Sequence, residues 1–115
     1  MTANYHLFKN LTSSLLRTKS REEEVAIALS LSKLYEQLLE KHIQDKGYSN
    51  TQDTHIDGGI ALSSQDALDC LKDPLRTVRF IKGTYQAIQK AFIQFPNQRI
   101  ELLYAGCGPA AQATA

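Results

Sequence analysis

Two sets of apolar residues repeat at steps of three and four, and this spacing constrains the fold more than any other feature of the sequence. The first is Ile27, Leu31, Leu34 and Leu38, flanked by Val25, Ala28, Tyr35 and Leu39. The second is Leu75, Val78, Ile81, Tyr85, Ile88 and Phe92. An α-helix turns once in about 3.6 residues, so each set gathers on one face of a long amphipathic helix that needs a partner to cover it. The Ile27 to Leu38 seam is too short to specify a coiled coil, and packing against the second helix within one chain is expected.

Punctuation around these sets places two further helices. Tyr5, Phe8, Leu11, Leu15 and Leu16 share helical spacing until the polar run Thr18-Lys19-Ser20. Ser20 and Glu23 form an S-x-x-E capping box, and three glutamates in the first turn favour the positive end of the helix dipole, so the first long helix starts there. Lys46-Gly47 supplies its stop. Ser63 and Asp66 form a second capping pair, opening a short helix through Leu71; Asp73-Pro74 then reads as an N-cap with proline at the first helical position. Phe95-Pro96-Asn97 ends the helix that follows. Gly83, inside that helix, weakens it by roughly 1 kcal/mol relative to alanine. Residues 48–59 are polar and turn-prone and are expected to be a linker or mobile loop.

The last part of the chain changes character. Arg99-Ile100-Glu101-Leu102-Leu103-Tyr104-Ala105 is a short, mostly apolar run bounded by turn residues, which predicts a β-strand, and Gly106-Cys107-Gly108-Pro109 follows at once. Gly106-x-Gly108-x-x-Ala111 fits the loose G-x-G-x-x-G/A pattern of a strand running into a nucleotide-binding turn, where glycine lets backbone amides approach a ligand.

Leu102-Leu103-Tyr104-Ala105-Gly106-Cys107-Gly108-Pro109 resembles the first motif of class I S-adenosylmethionine-dependent methyltransferases. The stretches Gly59-Ile60-Ala61-Leu62-Ser63, Asp73-Pro74-Leu75-Arg76-Thr77 and Phe80-Ile81-Lys82-Gly83 are similar to the helical lead-in of some bacterial methyltransferase-like proteins. The resemblance implies a Rossmann-like fold, S-adenosylmethionine as cofactor, and Ala105, Gly106, Cys107 and Gly108 as the loop beneath its methionine part. The chain departs from the family at Tyr104, where an acidic residue usually stands, and at Ala110, the usual third glycine position. The family's second acidic residue, which holds the ribose, lies beyond Ala115. The expected architecture is therefore mainly α: about four helices over residues 1–97, then over 98–115 one strand and the start of an incomplete Rossmann-like domain. The expected function is that of a truncated methyltransferase-like protein, not catalytic as this chain alone. The alternative is a small helical interaction module with no enzymatic activity.

Composition sets the remaining expectations. Thirteen Lys plus Arg against twelve Asp plus Glu leave a net charge of +1, without the basic field of a phosphate-binding surface, so nucleic acid is not an expected partner. At 115 residues the chain holds one domain at most. Cys70 and Cys107 belong to no Cys/His cluster, which predicts neither zinc nor a disulfide framework and fits a reducing, cytoplasmic setting. No stretch looks like a signal peptide or a membrane span. Cys107 reads as a loop residue, since no histidine is placed to activate it. His55 and Asp57 provide only two of the ligands a metal needs, and His6 and His42 sit alone in predicted helices. Arg76, Arg79, Lys82 and Lys90 read as a solvated helix face. An isolated strand exposes unpaired backbone groups, so self-association or a protein partner is expected through that strand edge or through a helix face.

Overall fold

The computed structural model describes residues 2–46, 52–61 and 63–103. Four helices carry the fold: α1 (Thr2–Arg17), α2 (Arg21–Lys46), α3 (Ser64–Asp69) and α4 (Pro74–Gln94). A single 3-10 turn, Cys70–Lys72, joins α3 to α4. The mainly α class is as the apolar spacing predicts. Among the described residues no helix is long and apolar enough to cross a membrane.

The central element is α2. Its inward face buries Ala28, Leu31, Leu34 and Tyr35, with Ile27, Leu38 and Leu39 packed around them. This is the expected seam, and it is covered within the chain by both α1 and α4. From α1 come Phe8 and Leu15, the latter fully buried, and the Phe8 and Tyr35 rings lie 4.7 Å apart at 53°. Tilted ring pairs of this kind avoid the repulsion of stacked π faces. Leu68, Leu71, Val78 and Ile81 close the core from the other side.

Local chemistry fixes where each helix begins. At α2 the capping box is half formed: the Glu23 amide donates to Ser20 Oγ at 3.4 Å, but the Glu23 carboxylate is taken by the Thr18 hydroxyl. Thr18 Oγ1 in turn accepts from the Ser20 amide at 3.3 Å, so the reciprocal arm runs through a third residue. At α3, Ser63 Oγ accepts from the Asp66 amide at 3.1 Å and donates to its carboxylate at 2.8 Å. Asp73 caps α4, accepting from the Arg76 amide at 3.1 Å, with Pro74 in the first turn where no amide hydrogen is needed. The stop of α4 is a turn over Phe95-Pro96-Asn97-Gln98: the Gln98 amide donates to the Phe95 carbonyl at 3.3 Å, and Asn97 takes φ 65°. Proline at the second place and asparagine in the left-handed region at the third are the signature of a type II turn.

Two expectations are corrected. Part of the 48–59 stretch is not a loop but an antiparallel hairpin, β1 (Thr54–Ile56) with β2 (Gly59–Ala61), in which His55 faces Ile60 and Ile56 faces Gly59. Asp57-Gly58 forms its two-residue turn, and Gly58 takes φ 85°, which glycine adopts without a steric penalty. β1 is exposed, as are Gly59 and Ile60 of β2, and the hairpin packs on no helix among the described residues; Asp53 Oδ1, accepting from the Ser63 amide at 2.6 Å, ties its base to α3. The second correction concerns the strand expected from residue 99 onward. Residues 99–103 hold no secondary structure, because a strand exists only in a ladder and no described segment lies alongside to pair with it. Residues 104–105 of that run lie outside the described residues.

Candidate functional site

Ala105, Gly106, Cys107 and Gly108, the loop implied to contact a cofactor, lie outside the described residues. Leading up to them is the second half of α4, whose surface is unusual for a helix in a small bundle. The spacing predicts Leu75, Val78, Ile81, Tyr85, Ile88 and Phe92 on one buried face. Only Val78 and Ile81 of this set are buried, and no residue of α4 beyond Ile81 is. Tyr85, Phe92 and Phe95 are exposed, Phe92 by 60% and the neighbouring Ile93 by 81%. Ile88 is half-buried, and beyond the turn Leu102 and Leu103 are exposed as well. Between Gly83 and Gln94 the one charged residue is Lys90. The helix therefore keeps its amphipathic pattern past the point where α1 and α2 cover it.

That point is marked by Lys82. Its ammonium donates to the Thr18 carbonyl at 2.8 Å and to Glu24 Oε1 at 2.5 Å, with the two side chains 25% and 15% exposed. One cation thus satisfies an orphan carbonyl at the end of α1 and neutralises a carboxylate in the first turn of α2. The solvated-face reading is corrected for this residue, while Arg76, Arg79 and Lys90 are exposed as expected. Neither end of the pair stands out in a list of charged residues. A signal exists nonetheless: Glu24 lies on the stripe of Ala28, Leu31 and Tyr35, and Lys82 lies four residues after Val78. A charge on the apolar stripe of a helix must find a partner or stay in water.

Beside this pair, α2 and α4 enclose a cleft of about 300 Å³. Arg21 and Glu24 line it from α2; Leu75, Arg79, Lys82 and Gly83 line it from α4. Arg21 Nε stands 3.9 Å from Glu24 Oε2. A Cβ added at Gly83 meets no atom within 4 Å.

The other candidates are dispersed. His55 and Asp57 are exposed on the hairpin, and among the described residues no three His, Cys, Asp or Glu side chains come together as a metal site. Cys70 is a half-buried free thiol in the 3-10 turn. His6 stands edge-on to Tyr5 on α1, with Lys9 Nζ 5.4 Å from the tyrosine ring centre. Lys72 Nζ lies 2.7 Å from Asp69 Oδ1 on the surface. Lys72 and a hydrogen bond from Gln65 hold the Asp69 carboxyl below its usual range, and Asp69 raises Lys72 above its own.

No family model, no curated protein and no solved structure matches the chain.

Proposed function

We propose that the chain is the amino-terminal helical part of an S-adenosylmethionine-dependent methyltransferase-like protein, not catalytic as this chain alone, working in the cytoplasm. One observation carries the structural side of this reading: Tyr85, Phe92 and Phe95 at the end of α4 are exposed, and so are Leu102 and Leu103, the last described residues before the glycine-rich sequence. In a complete α/β domain that turn follows the first strand of a parallel sheet, which is interior and flanked by helices. The exposed apolar side chains are then part of the surface on which that sheet packs. Residues 105–108 hold the methionine part of the cofactor in this reading, while alignment of the methyl acceptor falls to the sheet domain of such a protein. The test is the nucleotide sequence directly downstream of the Ala115 codon. In one of the three frames it encodes strand–helix repeats, with an acidic residue at the end of the second strand, roughly twenty residues beyond the loop. Absence of such repeats in every frame overturns the reading.

The same face supports a second reading, a small interaction module that binds a protein partner or a second copy through α4. Large uncovered apolar patches on small proteins mark contact surfaces. Light scattering decides: self-association that disappears in Phe92→Ser/Ile93→Ser supports the module, and a concentration-independent monomer counts against pairing of copies.

A further inference from the structure

The cleft between α2 and α4 carries a charge pattern that the packing of the helices does not require. Arg21, Arg79 and Lys82 face one carboxylate, Glu24, and that carboxylate is already engaged by Lys82 at 2.5 Å. Arg21 approaches it only to 3.9 Å and is otherwise in solvent, and Arg79 has no ion pair among the described residues. Two guanidinium groups thus flank one cavity with donors to spare. Of the other glutamates on the first turn of α2, neither Glu22 nor Glu23 lines the cleft, and Glu23 is held by the Thr18 hydroxyl. Gln86 adds an amide at the rim, and Leu75 and Val78 supply an apolar wall. The position where a side chain would intrude is Gly83, which leaves the space open.

We propose that this cleft binds the oxyanion end, carboxylate or phosphate, of a small molecule with an apolar body. The planar fork of arginine matches both oxyanions, and a charge-assisted pair is about twice as strong as a neutral hydrogen bond. Lys82, held by Thr18 and Glu24, neutralises the one carboxylate in the cleft and so leaves the two guanidinium charges uncompensated there. The apolar body lies on Leu75 and Val78. A volume of about 300 Å³ is at the lower end of the range for small-molecule sites, which limits the ligand to a few carbon atoms beyond its charged group. The site involves neither Tyr85 nor Phe92, the exposed apolar residues of the second half of α4.

The test uses the full chain, labelled with nitrogen-15, titrated with inorganic phosphate, hexanoate and hexyl phosphate, with sodium chloride at matched ionic strength as control. Saturable shifts are expected at the amides of Arg21, Arg79 and Gly83, with hexanoate or hexyl phosphate binding more tightly than inorganic phosphate; the tighter of the two assigns the oxyanion. Arg79→Gln weakens binding by at least about tenfold, the loss of one charged pair. Gly83→Ala leaves binding in place, whereas Gly83→Leu, equally compatible with a helix, fills the cleft and abolishes it. The proposal is overturned by shifts that chloride reproduces, by shifts spread over every surface Lys and Arg, or by undiminished binding in Arg79→Gln or Gly83→Leu.

Discussion

Replacing Lys82 by methionine keeps the length and apolar stem of the side chain and removes only the charge that closes the corner between α1, α2 and α4. Two groups then lose a hydrogen bond. The Glu24 carboxylate, 15% exposed, keeps only the looser approach of Arg21 at 3.9 Å, and the Thr18 carbonyl loses a donor at 2.8 Å. Exposed ion pairs contribute about 0.2–1 kcal/mol and breaking fully buried ones costs about 3–5. A pair at these exposures falls between them, and with the lost charged hydrogen bond the substitution costs about 2–3 kcal/mol. For a domain of this size that lowers the melting temperature by roughly 10 °C. Thermal unfolding followed by circular dichroism at 222 nm, the usual helix band, reads the loss directly. Glu24→Gln and the double variant complete a cycle in which the double variant loses less than the two single losses added together. A Lys82→Met protein melting within about 2 °C of the parent, or a cycle with additive losses, would show that the corner is not held by this pair.

Three further outcomes follow from individual residues. Gly83→Ala stabilises the chain by about 0.5–1 kcal/mol in chemical denaturation, because the added methyl meets nothing within 4 Å and glycine is unfavourable inside a helix; a destabilised variant contradicts the open cleft. Thr12 Oγ1 is buried with no hydrogen-bond partner among the described residues, so Thr12→Val, equal in shape, leaves stability unchanged or raises it by up to about 1 kcal/mol. Asp69, lowered from 3.8 by Lys72 and Gln65, gives a stabilisation that is present above 3.8 and fades as pH falls through its lower folded value. Its partner Lys72, raised from 10.5, gives one that is present below 10.5 and fades as pH rises through its higher folded value. Carboxyl NMR titration reads the first directly, with Lys72→Met expected to return the Asp69 midpoint toward 3.8.

The helices were legible because their signals are local and redundant. Asp73-Pro74, Ser63 with Asp66, and Phe95-Pro96-Asn97 each mark a boundary through a hydrogen bond or a fixed φ that depends on a few neighbouring residues. The hairpin was missed although Asp57-Gly58 is a strong turn signal, because Thr54–Ile56 and Gly59–Ala61 are only three residues each, too short for an apolar alternation to be read. The spacing along α4 correctly describes one apolar face over its whole length. It does not tell how much of that face another element covers, since coverage depends on where α1 and α2 end in space. Lys82 illustrates the same limit: its sequence neighbours place it among surface cations, while its partners lie 58 and 64 residues away. For the glycine-rich turn, the pattern of Ala105, Gly106, Cys107 and Gly108 remains a matter of sequence resemblance.

The most direct measurement of the methyltransferase reading is calorimetric titration with S-adenosylmethionine, made on the chain itself and on the chain extended through the strand–helix repeats expected downstream of Ala115. The predicted result is no saturable binding by the chain alone and one-to-one binding by the extended protein. One-to-one binding by the 115 residues alone, or none by the extended protein, contradicts it.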